Sequence, residues 1–162
     1  MIRVGIVGIG GISAVHINGY RTVEGAKLVA AADIAGTEAK NYPKIKEDGV
    51  KLYTSLDQML DNEELDVLDI CTPTYLHMEM AKQALERGLH VICEKPMSYT
   101  TENTREVIEL AKAKDRRFMI AHVVRFMKPY AYLRDVIKSG ELGKPVHLMF
   151  RRLSSNPKWS FH

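Results

Sequence analysis

The sequence predicts an α/β protein built on a doubly wound parallel sheet, and three observations carry that prediction. Short apolar strands alternate with helical segments along most of the chain, the order that a parallel sheet with crossover helices requires. A glycine-rich turn, G-I-G-G-I-S over residues 8–13, follows the first strand without a spacer. Asp33 then ends the second strand, at the distance of about 20 residues where an acid serves such a turn.

Each element can be justified in turn. Ile2, Val4, Ile6 and Val7 make a near-continuous apolar run, which suits a strand buried on both faces. Gly8 permits the tight turn and Gly10 lets the backbone approach a pyrophosphate. Gly11 and Ile12 lead to the third place of the fingerprint, usually glycine or alanine and here Ser13, still small enough for close helix packing. The N–H groups opening the next helix, at its positive dipole end, can hold phosphate charge. On that helix Ile12, Val15, His16, Gly19, Tyr20 and Val23 form one stripe, with His16 read as packing. Residues 27–32 (KLVAAA) form the second strand.

Asp33, followed by Ile34, is placed to accept hydrogen bonds from the ribose hydroxyls of an adenosine. No arginine lies within residues 34–37 to meet a 2′-phosphate, so NAD is favoured over NADP. The alternative is a glycine turn that binds nothing, with Asp33 as a solvated strand end.

Residues 37–47 are helical in composition, but Pro43 is expected to kink or end a helix, so a short or broken helix is expected there. Residues 50–53 read as a strand, and Ser55 caps a helix carrying Leu56, Met59 and Leu60. Residues 65–71 form a fourth strand that Pro73 stops. A helix over 76–87 ends at Gly88, a strand covers 89–93, Thr101 caps a helix containing Val107, Ile108 and Ala111, and 117–121 is a sixth strand. The expected strand order is 3-2-1-4-5-6. The loops at 8–13 and 72–75 then face each other where the order reverses.

Beyond residue 121 the pattern changes. A helix over 129–139 stops at Gly140, and 145–153 alternates like a strand with Val146, Leu148 and Phe150 on one side, before Trp159 and Phe161. Residues 1–122 therefore read as a dinucleotide-binding domain, and 123–162 as the first helix and strand of a second α/β domain that is truncated. An open edge with such aromatics favours a homo-oligomer.

With 162 residues, 46% hydrophobic and 27% charged, the chain can bury one core. It has no apolar run of the ~18 residues a membrane helix needs and no signal peptide, which points to the cytoplasm. Cys71 and Cys93 end strands as small buried hydrophobes, and no metal site is expected. The net charge of +3 is spread along the chain, which argues against nucleic-acid binding.

The motifs CTPTYLH at 71–77 and EKP at 94–96 resemble the glucose-fructose oxidoreductase / inositol dehydrogenase family, Gfo/Idh/MocA, of NAD(P)-dependent oxidoreductases with a Rossmann domain. VGIVGIGGIS, Asp33, YTSLDQML, HVICEKPMS, Arg125–Phe126 and SGELGKPVH extend the resemblance over nearly all of the chain. It implies hydride transfer between a nicotinamide and a sugar, cyclitol or related polyol. By resemblance Lys95 is the catalytic residue beside nicotinamide and substrate, commonly after which a cis peptide leads into proline, and Glu94 lies on the cofactor side. Thr72, Pro73, Tyr75 and His77 match positions lining the nicotinamide half. A lysine held near the substrate hydroxyl, partly buried, can shuttle its proton. Without the motif, Lys95 reads as a salt-bridged strand end, and His77 as a helix-start residue bonding backbone. Full-length members also supply a D-x-x-x-H pair that this chain does not contain, since Lys158 stands four residues before His162. The alternative function is a non-catalytic NAD-binding module that self-associates.

Overall fold

Six parallel strands form one sheet in the order β3-β2-β1-β4-β5-β6. They are β1 Ile2–Val7, β2 Ala26–Ala32, β3 Lys51–Tyr53, β4 Val67–Ile70, β5 His90–Cys93 and β6 Phe118–Ile120. These coordinates are a computed structural model, which describes residues 1–151 and 153.

Helices α1 Ser13–Tyr20 and α2 Tyr42–Glu47 cover one face of the sheet; α3 Leu56–Asn62, α4 His77–Glu86 and α5 Thr101–Ala113 cover the other. Right-handed crossovers explain the split. From β1 the chain winds outward to β3, then returns and winds the opposite way through β4, β5 and β6, so its helices change face. On the first face Ile17 and Ile45 pack against Val4, Ile6, Leu28 and Ala31. On the second, Met59, Ala81, Ala84, Leu85 and Val107 pack against Ala30, Leu68, Ile70 and Val91. The reversal lies between β1 and β4.

Local signals explain most boundaries. The Ser55 hydroxyl accepts from the Gln58 N–H and caps α3. The cap of α5 is Thr100, one residue before the expected Thr101, because Thr100 still has extended backbone and its hydroxyl accepts from Asn103. The helix expected to be short or broken over 37–47 is so, but Pro43 neither kinks nor ends it. Pro43 lies in the first turn of α2, where its missing N–H is not needed, and Gly36–Glu38 is a separate 3-10 turn. The expected α1 stripe also needs correction: Ser13 and Ile17 are buried, while Ile12, Val15 and Val23 are exposed.

Contacts divide the chain into two units, Met1–His122 and Val123–His162. In the second, α6 Lys128–Ser139 ends at Gly140 in the left-handed region, at φ 69°, and Tyr130 stacks on Phe150 with ring centroids 6.3 Å apart. The expected strand over 145–153 is not formed among the described residues, and Val146, Leu148, Met149 and Phe150 are exposed. Alternation alone does not make a strand, which also needs a neighbour to complete its hydrogen-bond ladder. Trp159 and Phe161 lie outside the described residues.

Candidate functional site

Four loops meet at the carboxyl ends of β1, β2, β4 and β5, and hydrogen bonds from side chains fix them. The first is the glycine turn. Gly8 has φ +84°, and a Cβ there would stand 2.8 Å from the Cys71 carbonyl oxygen, so only glycine fits. A Cβ on Gly10 or Gly11 would meet nothing within 4 Å. Those two glycines border open space, and the N–H groups of Gly10, Gly11 and Ile12 find no acceptor among the described residues. Unpaired amides beside an open approach at a helix start are what a pyrophosphate requires.

Asn41 holds this turn in shape, a role the sequence did not reveal. Its side-chain amide is buried and donates to the Gly10 carbonyl and, at 3.2 Å, to the Ser13 hydroxyl. Ser13 donates in turn to the Gly10 carbonyl at 2.9 Å. The departure from glycine or alanine at position 13 thus adds a hydrogen bond inside the turn. Asn41→Ala would leave that carbonyl and hydroxyl under-satisfied, with an expected loss of about 1–3 kcal/mol of stability, readable by urea denaturation.

Asp33 stands at the end of β2, where one carboxylate oxygen accepts from the Ile9 N–H at 2.8 Å and the other from the Ala35 N–H at 2.9 Å. Each oxygen keeps a further lone pair for a ribose hydroxyl. Ile34 beside it is 95% exposed.

The last two loops follow β4 and β5. Thr72 is partly buried, Pro73 and Tyr75 are exposed, and the Lys95–Pro96 peptide is cis. Lys95 is exposed and has no ion-pair partner among the described residues, so neither the expected partial burial nor a salt bridge to Glu94 is present in this unit. Of the two readings of His77, the helix-start residue bonding backbone is the one the structure shows. It is 1% exposed, with Nδ1 2.9 Å from the Pro96 carbonyl and Nε2 2.8 Å from the Thr72 carbonyl. Buried with both nitrogens engaged, it offers no atom to a ligand here; it ties the two loops together.

Behind the loops lies a buried charged cluster. Asp69 on β4 is fully buried and points to the α1 face, where it accepts from His16 Nδ1 at 2.8 Å and from the Tyr20 hydroxyl at 2.7 Å. The other His16 nitrogen, Nε2, meets Glu94 at 3.1 Å, and the second Glu94 oxygen accepts from the Lys95 N–H at 2.9 Å. Burial alone would lower the His16 pKa, but hydrogen bonds to Asp69, Cys71 and Glu94 outweigh it and push it up to about 12. Burial would raise Glu94, yet His16 and the Lys95 N–H hold it below the usual carboxylate range. Burial, and then the Asp69 charge, keep the Tyr20 hydroxyl protonated. Burial also pushes Cys71 and Cys93 up to about 12, which leaves them unreactive thiols.

The expectation of His16 as mere packing is therefore replaced by a bridging imidazolium. His16, Asp69 and Cys71 place donor atoms within 4.8 Å of one another, but His16 is already shared between two carboxylates. A signal was present in the sequence: an aspartate within a central strand must be paired, and His16 and Tyr20, one helical turn apart, form the matching face.

Known proteins share the fold and much of the sequence pattern. The family model described as "Oxidoreductase family, NAD-binding Rossmann fold" matches residues 2–122. Glucose-6-phosphate 3-dehydrogenase of Bacillus subtilis is 32% identical over 88% of this chain and 40% of its own length. Inositol 2-dehydrogenase of Salmonella typhimurium is 29% identical over 96% of this chain and 47% of its own. The crystal structure of scyllo-inositol dehydrogenase from Lactobacillus casei, with bound NAD(H) and scyllo-inositol, superimposes with a TM-score of 0.80 at 27% identity, over 88% of this chain and 42% of that one. The chain spans less than half the length of these relatives. No helix among the described residues is long and apolar enough to cross a membrane. The glycine turn, the strand-end carboxylate and the β1/β4 reversal, together with a family match over most of the chain, place it in the Gfo/Idh/MocA oxidoreductase family, of which it carries the NAD-binding Rossmann domain.

Proposed function

We propose that the protein is an NAD-dependent dehydrogenase that moves a hydride between the cofactor and a sugar, cyclitol or related polyol, with this chain supplying the cofactor half. The observation that carries this reading is the row of unpaired amides at Gly10, Gly11 and Ile12 beside open space, next to the Asp33 carboxylate. Gly8, Gly10, Gly11, Ile12 and Ser13 would take the pyrophosphate, and Asp33 with Ile34 the adenosine. Thr72, Pro73, Tyr75, Glu94 and Lys95 would border the nicotinamide half.

When bound, the nicotinamide supplies the hydride acceptor. The alcohol carbon releases its hydride only as the hydroxyl proton leaves. The exposed Lys95 ammonium would hold the developing alkoxide, and would take the proton itself only where bound substrate and cofactor bury it. Residues 1–122 would be the dinucleotide-binding domain and 123–162 the start of the substrate domain, and the inositol and sugar-phosphate dehydrogenases among the relatives support the substrate class.

Asp33→Ala removes an anionic acceptor from the ribose and frees the Ile9 N–H as well. Calorimetric titration with NAD⁺ is expected to show an affinity loss of about 1.5–3 kcal/mol. Equal affinity in the variant would contradict the adenosine-side assignment.

A further inference from the structure

We propose that His16 is a positioning residue for the Lys95 loop, linking the helix that starts at the phosphate-binding turn to the residue that handles the substrate proton. The link is continuous and buried. From α1, His16 donates through Nδ1 to Asp69 on β4 and through Nε2 to Glu94 beyond β5; Glu94 then accepts the Lys95 N–H with its other oxygen. The His16 side chain is 13% exposed, Asp69 0% and Glu94 8%, so water does not compete for these bonds and they hold one geometry.

An imidazolium is the form that suits this place, because two carboxylates face it and only a ring with two N–H groups donates to both. The groups that face His16 are Asp69 and Cys71 from β4 and its end, Glu94 from the end of β5, and Tyr20, which bonds Asp69 from α1 itself. Without His16, the Glu94 carboxylate loses the partner that fixes its rotamer. The Lys95 backbone then loses a defined acceptor. His77 would still anchor Pro96 one residue later, so the loop loosens at Lys95 rather than unfolding.

This inference rests on the cofactor reading above only for the direction in which affinity changes. The test compares NAD⁺ with ADP-ribose, which keeps the adenosine and pyrophosphate but lacks the nicotinamide. In His16→Gln, NAD⁺ affinity is expected to fall about tenfold while ADP-ribose stays within about twofold, the scale of one lost charge-assisted hydrogen bond at one end of the ligand. In ¹H–¹⁵N spectra of the same variant the Lys95 amide signal should move, while the Ile9 and Ala35 amides held by Asp33 stay in place. If His16→Gln does not fold, Glu94→Gln cuts the same link at its other end. Because Glu94 would itself border the nicotinamide, only the Lys95 amide signal is read there, and it should move in the same way. Equal losses for the two ligands, or an unmoved Lys95 signal, would overturn the proposal. If the unsubstituted chain bound neither ligand, the cofactor reading would fall, and the Lys95 signal would still decide the positioning role.

Discussion

Gly8→Ala is expected to cost the protein about 2–5 kcal/mol of stability and most of its affinity for NAD⁺. A non-glycine residue in the left-handed region costs roughly 1–2 kcal/mol, and Gly8 has φ +84°. The added Cβ would also stand 2.8 Å from the Cys71 carbonyl oxygen and 2.9 Å from its carbon. Those are backbone atoms, and the bond from the Cys71 N–H to the Val7 carbonyl ties them to β1. They cannot swing aside as a side chain could, so overpacking adds about 1–3 kcal/mol. Gly10→Ala separates this effect from binding. Its Cβ would meet nothing within 4 Å, so stability should change by no more than about 1 kcal/mol, while the methyl group occupies the space a pyrophosphate needs. Urea denaturation and calorimetry on the two variants should therefore give opposite patterns: the first loses fold and binding together, the second binding alone. A stability loss at Gly10 as large as at Gly8 would contradict this account of the turn.

The second large effect is at Asp69. Asp69→Ala leaves the His16 imidazolium with one carboxylate partner and the Tyr20 hydroxyl with none, inside the core. Two hydrogen bonds to a charged group are lost at once, from His16 and from Tyr20, at about 1.5–3 kcal/mol each. The Tyr20 hydroxyl is left unpaired, so the expected cost is about 3–5 kcal/mol even though His16 keeps Glu94. Against a typical total of about 5–15 kcal/mol, that could leave the protein partly unfolded at 37 °C, and thermal melts would show it.

The same cluster sets a pH dependence. His16 binds its proton more tightly in the folded chain, at about 12 against an ordinary 6.5. Its contribution is therefore complete below 6.5 and is lost as pH rises from there towards 12. Glu94 is shifted the other way, so its share is present above its ordinary 4.5 and is lost as pH falls below that. Between about pH 7 and 8.5, below the range where Cys71, Cys93 and Tyr20 add protons that the fold also holds, stability should fall by about 1.4 kcal/mol per pH unit. In His16→Gln that slope should disappear. An unchanged slope would mean that His16 is not charged in the folded protein.

The frame of the fold was legible because it depends on local pattern. Apolar runs marked the strands, and the turn glycines and Asp33 marked the crevice; the sheet order followed from the sense of the crossovers. What was missed depends on partners distant in sequence. Pro43 reads as a breaker until the chain is seen to enter its helix there. Residues 145–153 alternate as a strand should, but no neighbouring strand pairs with them among the described residues. Asn41 sits 31 positions from the carbonyl it holds, and Asp69 53 positions from His16. Nothing in local periodicity reports such pairs. Backbone bonding by His77 was one of its two sequence readings, but which carbonyls it meets, those of Thr72 and Pro96, depends on the fold.

The central claim is that the free amides after β1 and the carboxylate after β2 together cradle an adenine dinucleotide. A crystal structure of the chain with NAD⁺ tests this most directly. The account predicts pyrophosphate density against the N–H groups of Gly10, Gly11 and Ile12, with the adenosine ribose on Asp33. Density on any other part of the surface, or a ribose turned away from Asp33, would contradict it.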